Sequence, residues 1–150
     1  MHFTEYDTRL AAYALITNDA DEILLSWFNG SVSGSEPTWT MPGGGVEFDE
    51  TIPDAVVREV HEETGYHVEV GQLLAEHHFT LERSSLSTRP FRSQRFIVAA
   101  TIVGGELGTT EVDGTTDYAQ WVPIADLPEL PHAGIIDVAL AARPVVTSPA

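Results

Sequence analysis

The chain has 150 residues and is strongly acidic: 23 aspartates and glutamates stand against seven arginines and no lysine, for a formal net charge of −16. This charge argues against binding to DNA or RNA, which depends on cationic contacts to phosphate, and against docking on anionic membranes. The absence of cysteine excludes a disulfide framework and a thiolate metal site. The length fits one domain with a substantial core.

No apolar run reaches the roughly 18 residues that a transmembrane helix needs. The first ten residues, MHFTEYDTRL, also lack the basic and then apolar segments of a signal peptide. We therefore expect a cytoplasmic protein that does not bind membranes.

Apolar and β-branched runs separated by turn residues predict several strands. The predicted strands cover residues 9–17, 23–28, 66–70, 72–81, 94–103 and 118–122. The first two are joined by a turn over 18–21 and are predicted to form a β-hairpin. The predicted loops cover residues 29–38, 82–93 and 104–116. A final helix is predicted over about 132–142, followed by a flexible tail over 143–150.

A central helix is predicted between the first two strands and the later ones. Thr51 is a suitable N-cap and Pro53 suits the first turn, while Gly65 is a natural stop. The helix therefore spans about 52–64. With further strands on either side and a second helix at the end, the order of elements predicts an α/β fold with a mixed sheet between helical layers.

The central helix has an unusual distribution of charge. On a helical wheel its apolar arc consists of Ile52, Val56 and Val60. Glu59 and Glu63 fall inside that arc or at its border, and Glu62 lies on its flank. The opposite side carries Asp54, Arg58 and His61. A solvated surface helix would place its glutamates on the opposite side.

The three glutamates are neighbours, because Glu59 precedes Glu62 by three residues and Glu63 by four. Two partly buried charges about 6 Å apart repel by about 3 kcal/mol at an effective dielectric constant of about 20. Such a face requires a counter-charge, and a hard divalent cation is the natural one for carboxylate oxygens. Arg58 is a second source of positive charge, with Glu50 as its expected partner.

The helix lies inside a longer pattern of fixed spacing, G-x5-E-x7-R-E-U-x-E-E-x-G-U, in which U is a bulky apolar residue. Its fixed positions are occupied by Gly44, Glu50, Arg58, Glu59, Glu62, Glu63 and Gly65. The chain thereby resembles the Nudix hydrolases (MutT-like), and we call residues 44–66 the Nudix box. One departure is Tyr66, where the family usually has an aliphatic residue. We expect this position to begin a strand and to affect packing more than chemistry.

The resemblance implies a Nudix-type α/β/α sandwich with a mixed β-sheet, formed by a single domain over 1–150 with its core at about 9–142. It also implies metal-assisted cleavage of a diphosphate bond in a nucleoside diphosphate linked to another moiety. The expected cofactor is Mg²⁺, with Mn²⁺ as the alternative. The partner is a small nucleotide, and a homodimer is an open alternative to a monomer.

Family roles carried over by position give the expected site. Metal ligands are predicted at Glu59, Glu62, Glu63 and the Gly43 carbonyl. Glu50 and Arg58 are expected to orient the helix glutamates and complete the catalytic set. Glu59 ranks first as general base, followed by an acid outside the box. The candidates for that outer acid are Glu47, Glu111, Asp113 and Asp117, for each of which an ordinary surface carboxylate is the alternative.

Four of the seven arginines, Arg83, Arg89, Arg92 and Arg95, lie between residues 83 and 95. This local cationic cluster suggests a polyphosphate-binding surface, since arginine binds phosphate in a bidentate manner. The alternative is charge balance against nearby glutamates. Substrate contacts are therefore predicted for Arg9, Arg83, Arg92, Arg95 and Trp27.

Aromatic residues and histidines leave alternatives open. Trp27, like its neighbours Phe28 and Trp39, either stacks on a base or belongs to the core. The adjacent residues His77 and His78 point to opposite faces of a strand and are not expected to share one metal ion.

Two hypotheses about function follow. The first is an active pyrophosphohydrolase, with (d)NTP-type substrates slightly favoured over ADP-ribose or a nucleotide sugar. The second is a catalytically silent domain that binds a nucleotide as a sensor. Loss of a box glutamate usually marks the second class, and no box glutamate is lost here.

Overall fold

The computed structural model describes residues 1–30, 35–84, 87–109 and 114–144. The strands and α-helices are β1 (Asp7–Leu15), β2 (Glu22–Phe28), β3 (Thr38–Thr40), β4 (Gly43–Gly45), α1 (Ile52–Thr64), β5 (Tyr66–Leu81), β6 (Phe91–Gly105), β7 (Thr116–Pro123) and α2 (Gly134–Ala142). Short 3₁₀-helices cover Phe3–Glu5 and Ile124–Glu129. In the described ranges, no helix is long and apolar enough to cross a membrane.

The strands form two sheets. The larger is mixed, with strand order β4-β1-β6-β5, and the smaller is antiparallel, with order β3-β2-β7. In the larger sheet β1 runs parallel to β6 and antiparallel to β4. Residues 11–15 of β1 and the next residue, Ile16, are all buried. This burial suits a strand that is covered on both faces.

The two helices pack on opposite faces of β1. Val56 and Val60 of α1 join a buried cluster with Ala12 and Ala14. Ile135, Ile136 and Ala139 of α2 join a second cluster that contains Ala11, Tyr13 and Leu15. Even-numbered residues of β1 therefore face α1 and odd-numbered ones face α2, because successive side chains alternate across a strand. This arrangement confirms the predicted α/β sandwich with a mixed sheet.

The predicted hairpin of the first two strands is wrong beyond its base. The turn itself forms, with an antiparallel bridge between Thr17 and Ile23 and a 3.1 Å hydrogen bond from Asn18 N to Glu22 O. Beyond it, β1 and β2 separate into different sheets. Both strands are apolar on both faces, so each is stabilised by burial between layers, and adjacency in the chain does not make them pair.

Other boundaries also differ from the prediction. Residues 66–70 and 72–81 form one strand, β5, whose pairing with β6 shifts register between Val70 and Leu73. β6 already begins at Phe91, within the predicted loop 82–93. The three-residue strands β3 and β4 were not predicted, because they are too short to show a periodicity. The final helix begins at Gly134 and not at 132.

The central helix matches its prediction, since α1 spans Ile52–Thr64. The Thr51 hydroxyl accepts a 3.2 Å hydrogen bond from Asp54 N, and Gly65 adopts the left-handed conformation with φ of 82°. Tyr66 begins β5, and its hydroxyl accepts a 3.3 Å hydrogen bond from Trp121 Nε1. The unusual residue at the end of the box is therefore accommodated by a packing contact.

Candidate active site

A cavity of about 650 Å³ brings together side chains from α1, β1, β4 and β6. We call it the central cavity. Its lining includes the three helix glutamates, Glu59, Glu62 and Glu63, and two arginines, Arg9 and Arg95. The carboxylates reach it past β4, which is the edge strand of the larger sheet. The cavity therefore has an acidic side, formed by α1 and β4, and a basic side, formed by β1 and β6.

Glu63 is the most deeply placed of the three carboxylates, with only 7% of its surface exposed. Its Oε2 accepts hydrogen bonds from the hydroxyl of Ser26 at 3.0 Å and from Gly43 N at 3.1 Å. Ser26 is fully buried on β2, so this bond joins the smaller sheet to α1. Two donors on one oxygen fix the orientation of the carboxylate before any ligand binds.

Arg58 connects the other carboxylates of the box. Its Nε and Nη2 donate to the two oxygens of Glu50, both at 2.8 Å, which is the bidentate arrangement. Nη2 also donates to the Gly45 carbonyl at 3.1 Å. Nη1 donates to Glu59 Oε1 at 2.9 Å and lies 3.5 Å from Glu62 Oε2. Arg58 thus holds the glycine strand, Glu50 and Glu59 in one network.

The helical wheel puts Arg58 and His61 opposite the apolar arc, but neither side chain is fully exposed. Arg58 is only partly exposed and its long side chain bends into the box network. His61 is partly buried and stacks on His67, with ring centroids 4.4 Å apart. A wheel records the direction of Cα–Cβ only, and long or planar side chains can reach past it.

The electrostatics of this network keep its members charged. The Arg58 guanidinium, followed by the Glu47 backbone N–H, lowers the pKa of Glu50 to about 2. Hydrogen bonding to Glu50 in turn raises the pKa of Arg58 above its ordinary value. Glu50 is therefore an anion throughout the neutral range and serves as a fixed anchor for Arg58.

The three glycines before the helix have different reasons for lacking a side chain. Gly43 has φ of 147°, and a Cβ there would lie 2.2 Å from the carbonyl oxygen of Ala12. At Gly44 a Cβ would lie 2.8 Å from Glu59 Oε1. At Gly45 the nearest atom would be Arg9 Nη2 at 3.6 Å, an ordinary contact. Gly43 thus permits the backbone path, and Gly44 makes room for a box carboxylate.

The donor atoms fit a hard divalent cation in their chemistry. Glu59, Glu62 and Glu63 all line the central cavity, as does the backbone of Gly43, and carboxylate and carbonyl oxygens are the ligands that Mg²⁺ and Mn²⁺ take. Within the described ranges, no three acidic or histidine side chains already form a group able to hold a metal ion. Glu59 is held by Arg58, and Glu63 by Ser26 and Gly43 N, so the orientation of both carboxylates is set by protein donors.

The predicted substrate-binding arginines do not stay together. Arg9 and Arg95 line the central cavity. Arg92 donates to Gln94 Oε1 at 2.7 Å and lines a separate cavity beside Tyr6. Arg83 is exposed in the turn after β5. Arg92 and Arg95 lie on opposite faces of β6 because they are an odd number of positions apart.

Trp27 lies outside the central cavity and belongs to an aromatic group in the core. Its ring is 5.1 Å from Trp39 in an edge-on arrangement and 6.2 Å from Tyr118 in a stacked one. The next residue, Phe28, points to the other face of β2 and lines the cavity. Of the two open interpretations of Trp27, the geometry supports the core role.

The candidate outer acids are not brought to the cavity where the structure describes them. Asp117 is exposed and accepts a 2.9 Å hydrogen bond from Asn29 Nδ2. Glu47 has a 71% exposed side chain, 4.0 Å from Arg58 Nη2. Glu111 and Asp113 lie outside the described residues.

The two histidines of β5 alternate as predicted, since His77 is partly buried and His78 is exposed. Burial, and then the charge of the cross-strand neighbour Arg95, lowers the pKa of His77. The lowered pKa favours the neutral form of His77, which pairs across the strands with Arg95 of the cavity.

Sequence reasoning missed several polar residues of the site. Ser26 carries a signal that was available, because it is a lone polar residue inside the apolar run of β2. The remaining ones line the cavity without such a signal: Glu36, Thr38, Thr40 and Ser93. Their placement depends on β3 and β6 lying across from the box, which requires the tertiary structure.

The family model described as the NUDIX domain matches residues 7–142. The chain therefore belongs to the Nudix family, whose hydrolases act on phosphoric anhydride bonds. It is 36% identical over 118 residues to “Putative nudix hydrolase 1” of Caenorhabditis elegans, covering 79% of this chain and 29% of the relative. It is 34% identical over 116 residues to human “8-oxo-dGDP phosphatase NUDT18”, covering 77% and 32%. The chain thus spans about a third of the length of these two relatives.

A relative of more similar length is “Putative 8-oxo-dGTP diphosphatase” of Bacillus subtilis, 30% identical over 120 residues, with 78% of this chain and 68% of the relative covered. Solved structures share the fold. A NUDIX hydrolase from Nitrosomonas europaea superimposes with a TM-score of 0.73 at 23% identity, over 91% of this chain and 88% of the other. The MutT NUDIX hydrolase from Burkholderia pseudomallei gives 0.71 at 25% identity, over 92% and 99%.

Proposed function

We propose that this protein is a divalent-metal-dependent pyrophosphohydrolase that cleaves a diphosphate bond in a nucleotide. The observation that carries the proposal is the placement of Glu59, Glu62 and Glu63 on one wall of the central cavity, supported by the Arg58–Glu50 pair. A structural helix gains nothing from gathering three carboxylates at a cavity, since each like-charge pair opposes folding. The arrangement is accounted for by a cation that these carboxylates bind.

The three glutamates and the Gly43 carbonyl are the proposed ligands of Mg²⁺, with Mn²⁺ as the alternative. When bound, the cation supplies charge neutralisation for the diphosphate oxygens and activation of a water molecule. Ser26 and Gly43 N hold Glu63 in its orientation, and Arg58 holds Glu59. Glu59 remains the first candidate for the general base, because it lies at the cavity surface beside the other two carboxylates.

The favoured substrates are nucleoside triphosphates and diphosphates of the (d)NTP type, with 8-oxo-guanine forms to be tested first. Support comes from the names of the human and Bacillus subtilis relatives, which refer to 8-oxo-dGDP and 8-oxo-dGTP. ADP-ribose is the second substrate class. It is suggested by “Putative ADP-ribose pyrophosphatase YjhB” of Bacillus subtilis, 30% identical over 92 residues.

The test is release of phosphate or pyrophosphate from dNTPs, 8-oxo-dGTP, 8-oxo-dGDP, ADP-ribose and nucleotide sugars, with Mg²⁺ or with a chelator. We expect turnover that requires the metal and falls by about a thousandfold or more in Glu62→Gln and Glu63→Gln, because several kcal/mol of transition-state stabilisation are lost. Glu69→Gln, an exposed glutamate on β5, makes the same change of charge outside the cavity and serves as the matched control.

The outcomes separate the alternatives. Turnover that survives in both box variants would remove the carboxylate wall from the mechanism. No turnover on any substrate, with nucleotide binding retained, would replace the enzyme with a nucleotide sensor. The best substrate of the series decides between the (d)NTP and ADP-ribose classes.

A further inference from the structure

The arginines of this acidic chain differ in what they contact. Arg58 pairs with Glu50, Arg89 with Asp7 and Arg143 with Asp21, while Arg92 donates to Gln94. Within the described residues, Arg9 and Arg95 form no ion pair with a carboxylate, although acidic side chains outnumber arginines by 23 to seven.

The two arginines are neighbours on one face of the larger sheet. In the parallel pairing of β1 with β6, Arg9 lies opposite Ser93 and Ala11 lies opposite Arg95. The arginines therefore occupy diagonal positions on adjacent strands. The other two corners are Ala11 and Ser93, which are small and 0% and 1% exposed. The two guanidinium groups are therefore separated on the sheet surface by the small side chains of Ala11 and Ser93.

The environment of Arg95 orients its guanidinium group without satisfying it. Its Cζ lies 4.7 Å from the ring centre of Phe79 and 5.8 Å from that of Tyr13, which are cation–π distances. Its Nε is buried and has no hydrogen-bond acceptor among the described residues. A buried N–H without an acceptor destabilises the fold. Because Nε is inaccessible, a ligand in the cavity would be held by the terminal nitrogens of Arg95, which lines the central cavity.

Arg9 links this part of the sheet to the box. The Nη2 atom of Arg9 lies 3.6 Å from the position of a Cβ at Gly45, so its guanidinium is beside the glycine strand. An anion between the two arginines is therefore close to the carboxylate wall and separate from it. Such an anion would lie in the same cavity as the carboxylates that are proposed to bind the metal.

We propose that Arg9 and Arg95 form a subsite, which we call the arginine cradle, for the terminal phosphate of a nucleoside di- or triphosphate. The assignment to a terminal phosphate rests on the proposed function. A terminal phosphate has three free oxygens and close to two negative charges, which match two forked donors. A nucleotide sugar places a neutral group beyond its diphosphate and leaves one guanidinium without an anion. The cradle therefore selects phosphate-terminated substrates over ADP-ribose.

The first test needs no turnover. Binding of inorganic tripolyphosphate is measured by calorimetry with a chelator present and at fixed ionic strength, in the unaltered protein, Arg95→Gln and Arg92→Gln. Arg92 is the matched control, because it lies on the same strand, carries the same charge and points away from the central cavity. We expect Arg95→Gln to lose about tenfold or more in affinity, and Arg92→Gln to stay within about twofold.

The proposal is overturned if the unaltered protein does not bind tripolyphosphate. It is also overturned if Arg95→Gln binds tripolyphosphate as tightly as the unaltered protein, or if Arg92→Gln loses as much affinity as Arg95→Gln. The last result would reduce the effect to net charge. Thermal unfolding of each variant establishes that the fold is intact. If Arg95→Gln does not fold, Arg9→Gln takes its place, since Arg9 is exposed.

The second test is kinetic. For a dNTP, Arg95→Gln is expected to raise KM by about tenfold or more with a smaller change in kcat, and Arg95→Lys, which keeps the charge but not the fork, to give an intermediate KM. For ADP-ribose, kcat/KM is expected to change by less than about threefold. Equal losses on both substrates would overturn the selectivity for a terminal phosphate. Absence of turnover on every substrate would defeat the proposed function alone, because the tripolyphosphate experiment still decides whether the cradle exists.

Discussion

The two charged walls of the central cavity hold their side chains in different ways. On the α1 wall the carboxylates are bonded to protein donors: Glu63 to Ser26 and Gly43, and Glu59 to Arg58. On the sheet wall Arg9 and Arg95 are placed by strand register, and Arg95 also lies against the rings of Phe79 and Tyr13. Neither arginine meets a carboxylate among the described residues.

This difference corresponds to two kinds of ligand. A cation site needs carboxylates that are held in place against their mutual repulsion. Hydrogen bonds from Ser26, Gly43 N and Arg58 hold them here. An anion site needs donors that remain available, because a guanidinium already paired with a carboxylate gains less from phosphate. The α1 wall is therefore preorganised by hydrogen bonds, and the sheet wall by packing. Four predictions test this comparison.

The largest effect is expected at Gly44, where an added side chain would meet the Glu59 carboxylate. In Gly44→Ala the added Cβ would lie 2.8 Å from Glu59 Oε1 and force that carboxylate to move. We expect kcat/KM to fall by about a hundredfold, since a misplacement of about 1 Å in an active site costs that much. Gly45→Ala meets only an ordinary 3.6 Å contact and is expected to lose far less. Comparable losses in the two variants would show that Glu59 is not held against Gly44.

A smaller effect is expected at Ser26, which supports Glu63 from the second sheet. Ser26→Ala removes a buried 3.0 Å hydrogen bond and is expected to lower Mn²⁺ affinity by about 10- to 100-fold. Mn²⁺ binding is measured directly, by electron paramagnetic resonance. In a Glu63→Gln background the same change should have little further effect, because the two residues act as a unit. Additive losses would contradict a supporting role for Ser26.

The Arg58–Glu50 pair gives a prediction about pH. The pKa of Glu50 is lowered to about 2 from its ordinary value of 4.5, so its ionised form is favoured by the folded state. The stability it contributes is fully present above pH 4.5 and is lost as the pH falls through 2. Denaturant unfolding of the protein and of Glu50→Gln should therefore give a constant difference in free energy above about pH 5, shrinking towards pH 2. A difference independent of pH would show that the charge of Glu50 does not stabilise the fold.

The smallest effect is expected at the last position of the box. Tyr66→Phe removes the hydroxyl that accepts a 3.3 Å hydrogen bond from Trp121, at a cost of about 0.5–1.5 kcal/mol in the free energy of unfolding. Activity should stay unchanged, because neither Tyr66 nor Trp121 lines the central cavity. A loss of activity with unchanged stability would assign Tyr66 to the chemistry.

Local signals in the sequence were sufficient for the central helix. The Thr51 cap, the Gly65 stop and the apolar spacing lie within a few residues of one another and act within one element, so α1 was predicted to the residue. The inward position of Glu63 also followed from the wheel, and burial confirms it. The expected pairing of Arg58 with Glu50 also forms, but the wheel did not show that the Arg58 side chain reaches Glu59 as well.

Pairing between distant segments was not readable in the same way. The separation of β1 from β2 depends on which strands bury both faces of β1, and those strands include β6, which begins 76 residues after the end of β1. Strand alternation would have separated Arg92 from Arg95 if both had been predicted to lie in one strand. The predicted loop over 82–93 included Arg92, whereas the structure places Arg92 in β6, which begins at Phe91.

The sequence by itself determined the family resemblance, the helix of the box and its carboxylates, because these depend on fixed spacing within one short segment. Only the tertiary structure decided which arginines face those carboxylates, which serine holds Glu63 and why Gly44 has no side chain. Each of these is a contact between segments far apart in the chain. Their distances are set by how two sheets and two helices pack, and no local pattern of residues records that packing.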